Sequence, residues 1–117
     1  MELKRVVVTG LGAVTPLGNT PEETWASLLE GKSGACPITR FDASLFKTQF
    51  ACEVKNLNVG EYIDRKEARK IDIYAQFALI AAQQAVNDSG MDLDSVDRNR
   101  IGVIFGVGIG GITTFEE

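Results

Sequence analysis

The sequence predicts an α/β fold with a largely parallel sheet. Short apolar strand-like runs alternate with helix-like stretches, in the order strand, helix, strand, helix, strand, glycine turn. Two of those runs, the three consecutive valines of "RVVVTGLG" near the N-terminus and "IGVIFG" at residues 101–106, lead into glycine turns, the pattern of buried strands. The long stretch between them is apolar on nearly every side, as a helix buried within a larger body is.

Each element has its own punctuation. The first strand rests on Val6, Val7 and Val8, with Gly10 as its turn. In "TPEETWASLLEG", Thr20 and Glu23 have capping-box spacing, Pro21 takes the first helical position and Gly31 follows the last turn. Trp25, Leu28 and Leu29 give that helix an apolar face. Residues 32–48 read as irregular, "QFACEV" at residues 49–54 as a weakly alternating strand, and "NVGEYI" as a short helical turn. In "DRKEARKIDIYAQFALIAAQQAVNDSG" the pair Asp64 and Glu67 again has capping-box spacing, with a separate short helix before the main one as the alternative. Ile71, Tyr74, Ala75, Ala78, Ala81, Ala82, Ala85 and Val86 recur at helical spacing, and Ile73, Phe77 and Ile80 widen the stripe to most of the surface. Gly90 ends the helix, and "MDLDSVDRNR" is a polar connection to the last strand. One amphipathic helix and three strands are too few to cover a helix of that kind, so the chain is expected to be an incomplete domain that leaves apolar surface uncovered.

Composition narrows the function classes. The 117 residues carry 12 Lys plus Arg against 16 Asp plus Glu, a net charge of −4, which argues against a nucleic-acid binder with its basic footprint. No apolar run approaches the ~20 residues of a membrane span, and the N-terminus lacks the apolar core of a signal peptide, so the compartment is expected to be cytoplasmic. Cys36 and Cys52 lie in apolar neighbourhoods and read as buried free thiols. There is no histidine, which removes Ser-His, Cys-His and His-metal chemistry from this chain; no metal and no cofactor is expected.

Two glycine turns invite a nucleotide-binding reading. In "VVVTGLGAVTPLG" the third glycine of G-x-G-x-x-G is replaced by Thr15, and Pro16 disfavours helical geometry there. In "GVGIGG" the spacing is met by Gly106, Gly108 and Gly111, but the helix, strand and ribose-binding acid that should follow are missing. Tight backbone packing is the favoured reading of both.

The stretches "RVVVTGLGAVTPLGN", "W..LL.GKSG", "FD", "IDRKEARKID", "A...AV.DSG" and "RIGVIFGVGIGG" together resemble the N-terminal part of the β-ketoacyl-[acyl-carrier-protein] synthases, and the type II enzymes most closely. The resemblance covers the chain's whole length. It implies the thiolase-like fold, five layers α-β-α-β-α in the intact family, with residues 1–117 covering the start of the first half. It implies a condensing acyltransferase of fatty-acid biosynthesis that needs a Cys nucleophile and two histidines. Neither Cys36 nor Cys52 matches that nucleophile, so no catalytic residue is expected here and the chain alone should be inactive. The resemblance further implies a homodimer, an acyl-pocket wall at Ile109, and docking of the acidic acyl carrier protein, acyl- or malonyl-loaded, on Lys66, Arg69 and Lys70.

The last assignment also has a physical motive. If "DRKEARK" is one helix, Arg65 with Arg69 and Lys66 with Lys70 are like-charge i,i+4 pairs near a helix N-terminus, opposed both by each other and by the helix dipole. Arg65 is left aside as a residue whose side chain could turn inward. Two alternatives from other classes stand beside the synthase: a non-catalytic relative such as a polyketide chain-length factor, and a stand-alone α/β binding module.

Overall fold

The computed structural model describes residues 3–116, which divide into two compact units, one joining residues 3–12 to 59–116 and the other formed by Ala13–Asn58.

In the Ala13–Asn58 unit, helix α1 spans Pro21–Leu29. Its N-cap is Thr20, whose hydroxyl accepts the Glu23 N–H at 3.2 Å, while the Glu23 carboxylate reaches past Thr20 to accept the Asn19 N–H at 2.7 Å. The capping box is therefore present, displaced by one residue on its return arm. The helix does not bury the face that the sequence suggests. Trp25, Leu28 and Leu29 are exposed, and the side that packs is marked by buried Ser27, whose Oγ donates to the Leu17 carbonyl at 2.9 Å. Ahead of α1, Thr15 closes a turn on itself. Its N–H donates to the Gly18 carbonyl at 2.9 Å, and its hydroxyl accepts the Leu17 and Gly18 N–H groups at 3.1 and 3.2 Å. A side chain that consumes neighbouring amides in this way leaves them unavailable to a ligand.

Strands β1 (Cys36–Pro37) and β2 (Phe50–Ala51) make an antiparallel pair with Cys36 opposite Ala51. The β2 strand falls within the expected residues 49–54, whereas β1 was read as irregular chain. Two thiols expected to be buried are not: Cys36 is half-buried, its Sγ donating to the Ala51 carbonyl at 3.6 Å, and Cys52 is exposed. Side chains alternate across a strand, so a two-residue ladder cannot bury consecutive Ala51 and Cys52 on one face.

In the other unit, a 3-10 turn at Val59–Glu61 leads into helix α2 (Arg65–Ala68), and helix α3 follows at Ile73–Ser89. The expected single helix is thus two, the alternative noted above. Gly90 closes α3 at φ +64, a left-handed conformation that glycine adopts without strain. Ile80 is fully buried, but Ile73, Tyr74 and Leu79 are exposed, so α3 is not covered all round. A second 3-10 turn, Arg98–Arg100, precedes the apolar run, and a short helix α4 occupies Ile112–Glu116.

The two valine- and isoleucine-rich runs depart from expectation. Among the described residues neither carries a ladder, and Val6 (89%) and Ile104 (96%) are almost fully exposed. Strand propensity describes a fit to a pleated, half-buried surface, and the ladder itself needs a neighbouring backbone. Apolar surface is accordingly left uncovered on both runs and on α3.

What the turn of the first run does touch is α3. A Cβ on Gly10 would stand 2.2 Å from the Ala85 carbonyl oxygen, and one on Gly12 only 1.8 Å from that of Ala81. Between them the Leu11 N–H donates to Asp88 Oδ2 at 2.8 Å. The packing explanation of this glycine pair holds: the two bare Cα atoms let the turn lie on the helix backbone.

Candidate functional site: a basic turn and a glycine-rich segment

The basic turn begins at Asp64, whose carboxylate caps α2 by accepting the Lys66 N–H at 2.8 Å. The helix stops at Ala68. Gln76 of α3 ends it by donating its side-chain amide to the Ala68 carbonyl at 2.8 Å and to the Ile71 carbonyl at 3.1 Å, capturing groups left open at the helix end. Arg69 is the C-cap and Lys70 lies in the following turn, so the like-charge i,i+4 pairs do not sit on one continuous helix. Glu67, instead of reaching back to the cap, holds Lys70 Nζ at 2.6 Å. Arg65, Lys66, Arg69 and Lys70 are all exposed, which settles the open position of Arg65. Among the described residues Lys66 and Arg69 form no ion pair. Among the described residues the turn therefore presents three cations without an ion pair, Arg65, Lys66 and Arg69, and a fourth, Lys70, that shares its charge with Glu67. Beside it, Tyr62 and Ile63 face Leu79, Val86 and Leu93 across an open, mainly apolar groove.

The glycine-rich segment lies elsewhere on the same unit. Nothing comes within 4 Å of a Cβ built on Gly106 or Gly108, so close packing does not account for these two among the described residues. Gly110 adopts φ +82. A Cβ on Gly111 would stand 2.1 Å from Asp72 Oδ2, so a carboxylate fills the place beside the third glycine of the formal motif. That negative charge opposes a phosphate at the same spot. Ile109 projects from this segment and is 82% exposed.

Residues 3–117 match the family described as beta-ketoacyl synthase, N-terminal domain. The chain belongs to the beta-ketoacyl synthase family. Across its full length it is 48% identical to a 3-oxoacyl-[acyl-carrier-protein] synthase 2 of Synechocystis sp. and 50% identical to one of Coxiella burnetii, covering 28% of each. A Staphylococcus aureus protein of the same name is 46% identical over 97% of the chain and 27% of that protein. This beta-ketoacyl synthase chain thus spans little more than a quarter of those relatives. Among solved structures, the ishigamide ketosynthase/chain length factor superposes with a TM-score of 0.70 at 39% identity, covering 77% of this chain and 22% of that one. A type II polyketide acyl-carrier protein in complex with its ketosynthase bound to the hexaketide matches with a TM-score of 0.64 at 26% identity, over 84% of this chain and 24% of the other. The fold is therefore thiolase-like, and this chain is an N-terminal part of it.

Three residues that hold the beta-ketoacyl synthase chain together escaped the sequence reading: Asp72, Gln76 and Asp88. Their signal is faint, a polar residue at each end of an otherwise apolar helix pattern and one within its first turn. Among the described residues no helix is long and apolar enough to cross a membrane.

Proposed function

We propose that this chain is the N-terminal part of a 3-oxoacyl-[acyl-carrier-protein] synthase of type II, lying at the start of the first thiolase-like half. In such an enzyme an acyl group moves from carrier-protein thioester to a cysteine of the synthase. Malonyl carrier protein then loses CO2, and the resulting carbanion attacks the acyl thioester. The cysteine thiolate leaves, and a 3-oxoacyl product two carbons longer remains on the carrier. The observation that carries the reading is the match of the whole chain, at 48–50% identity, to proteins of that name.

Within that enzyme, a cytoplasmic homodimer on this reading, the chain supplies surfaces while the nucleophile and its histidines come from outside these 117 residues. Lys66, Arg69 and Lys70 form a docking turn for the acidic carrier protein, supported by their exposure and by the absence of an ion pair at Lys66 and Arg69 among the described residues. Ile109 forms part of the acyl-pocket wall, supported by its exposed place between glycines.

The test is a condensation assay with acyl and malonyl carrier protein. A synthase carrying this chain as its N-terminal part should form the 3-oxoacyl product, and the 117-residue chain alone should form none. Absence of product from the former, with chain length altered only in a partner ketosynthase, would assign the chain to a non-catalytic relative. Condensation by the isolated chain would overturn the reading altogether.

A further inference from the structure

Asp72 occupies the N-cap position of α3, yet its side chain does not cap that helix. An aspartate at this position ordinarily accepts an N–H from the first turn of its own helix. Here the carboxylate instead accepts the hydroxyl of Thr114, 42 positions further along the chain. Gly111 permits the arrangement, because any side chain there would occupy the carboxylate's place. Gly110, in its left-handed conformation, turns the chain immediately after Ile109, and a Cβ built there comes within 3.9 Å of the Tyr74 ring on the first turn of α3.

The segment carrying Ile109 is thus fastened at one end. On its C-terminal side, Gly110, Gly111 and Thr114 converge on Asp72 and Tyr74. On its N-terminal side, Gly106 and Gly108 have nothing within 4 Å of where a side chain would begin. Glycine also supplies the least resistance to backbone rotation. Among the described residues, the contacts that hold this segment lie on the Asp72 side of Ile109.

We infer that Asp72 is a positioning residue for acyl-chain selection: through Thr114 and the bare Gly111 it fixes the end of the 106–111 segment and with it the placement of Ile109. The inference rests on the proposed role of Ile109 as a pocket wall.

The experiment uses a synthase carrying this chain, with three variants. Thr114→Val removes the donated hydroxyl at similar volume, Thr114→Ser retains it, and Ile109→Phe changes the wall itself. Two quantities are read: hydrogen exchange of the amides at residues 109–112, and the ratio of kcat/KM for long against short acyl primers. Thr114→Val should speed exchange by about tenfold, the factor expected when a charge-assisted hydrogen bond is lost, and should shift the primer ratio by roughly threefold or more. Thr114→Ser should restore both. If Thr114→Val does not fold, Gly111→Ala, whose methyl group displaces the carboxylate, takes its place. Unchanged exchange overturns the tether. Faster exchange with an unchanged ratio, while Ile109→Phe shifts the ratio, overturns the selecting role of Asp72 and leaves the pocket wall standing. A ratio that neither Ile109→Phe nor Thr114→Val moves overturns the pocket reading and the inference with it.

Discussion

Gly12 lies so close to Ala81 on helix α3 that a Cβ there would stand 1.8 Å from the Ala81 carbonyl oxygen. The Ala81 oxygen is a backbone atom and a Cβ is fixed by the backbone that carries it, so no side-chain rotation can relieve the clash. Gly12→Ala should destabilise the protein by at least ~1–3 kcal/mol, the usual cost of overpacking. Gly102→Ala, where the corresponding space is open and φ is not left-handed, should change stability by less than ~0.5 kcal/mol. Urea unfolding midpoints of the two variants give the comparison, and equal shifts would remove the packing explanation of the first glycine turn.

Reversing charge at Lys66 and Arg69 together should weaken carrier-protein binding by a synthase carrying this chain, mainly through the association rate. The loss should shrink as salt rises, because the Debye length falls from ~10 Å at 0.1 M to ~3 Å at 1 M. Lys70→Glu should do less, since Glu67 already holds its ammonium group in an exposed pair. Turnover of a small acyl thioester without carrier protein should be almost unaffected. Stopped-flow association at several ionic strengths decides the matter, and equal damage with both substrates would make the turn merely structural.

Ile109→Phe should reduce kcat/KM for long acyl primers more than for short ones, because a larger wall shortens the space beyond it. Overfilling a packed pocket typically costs ~1–3 kcal/mol, roughly 5- to 150-fold in rate. Competition between primers of two lengths in one reaction measures the difference directly. A uniform loss would return Ile109 to ordinary packing.

The carboxyl of Glu53 is held below its usual value of 4.5, first by the Thr39 hydroxyl, which donates to Oε2 at 2.7 Å, and then by the Thr39 N–H, which donates to Oε1 at 3.1 Å. A depressed folded pKa means that this contribution to stability is complete above the unfolded value and disappears as pH falls through the folded one. Acidification below 4.5 should therefore loosen the ends of the β1–β2 pair that Thr39 and Glu53 bridge. Thr39→Val should raise the Glu53 midpoint toward 4.5, which carboxyl carbon-13 NMR titration would register. An unmoved midpoint would mean that the hydroxyl bond is not what lowers it.

Helix ends were readable because they depend on residues within one turn. Thr20, Pro21 and Glu23 announced α1, and Gly90 announced the end of α3, all through local hydrogen-bonding or φ requirements. The exposed face of α1 was not readable, since Trp25 and Leu28 are apolar whether or not anything covers them. Val6, Val7 and Val8 gave the same difficulty: their composition suits a strand, but a ladder belongs to two segments at once. The basic turn was visible as a charge run, while its break at Ala68 depends on Gln76, a contact between elements. The diversion of Asp72 from its own helix to Thr114 lies further still from local pattern, since a cap residue looks the same whichever partner it takes.

The Leu11–Asp88 bond joins residues 77 positions apart, and that separation sets a schedule for synthesis. At ~5–20 residues per second, about 4–15 s pass between polymerisation of Leu11 and of Asp88. The valine run leaves the ribosome first, yet the helix on which its turn rests is still being made. For that interval the turn at Gly10 and Gly12 has no helix backbone to rest on. The Leu11 amide should therefore exchange freely in nascent chains stalled before residue 89 has emerged and become protected afterwards, once Asp88 can accept its N–H.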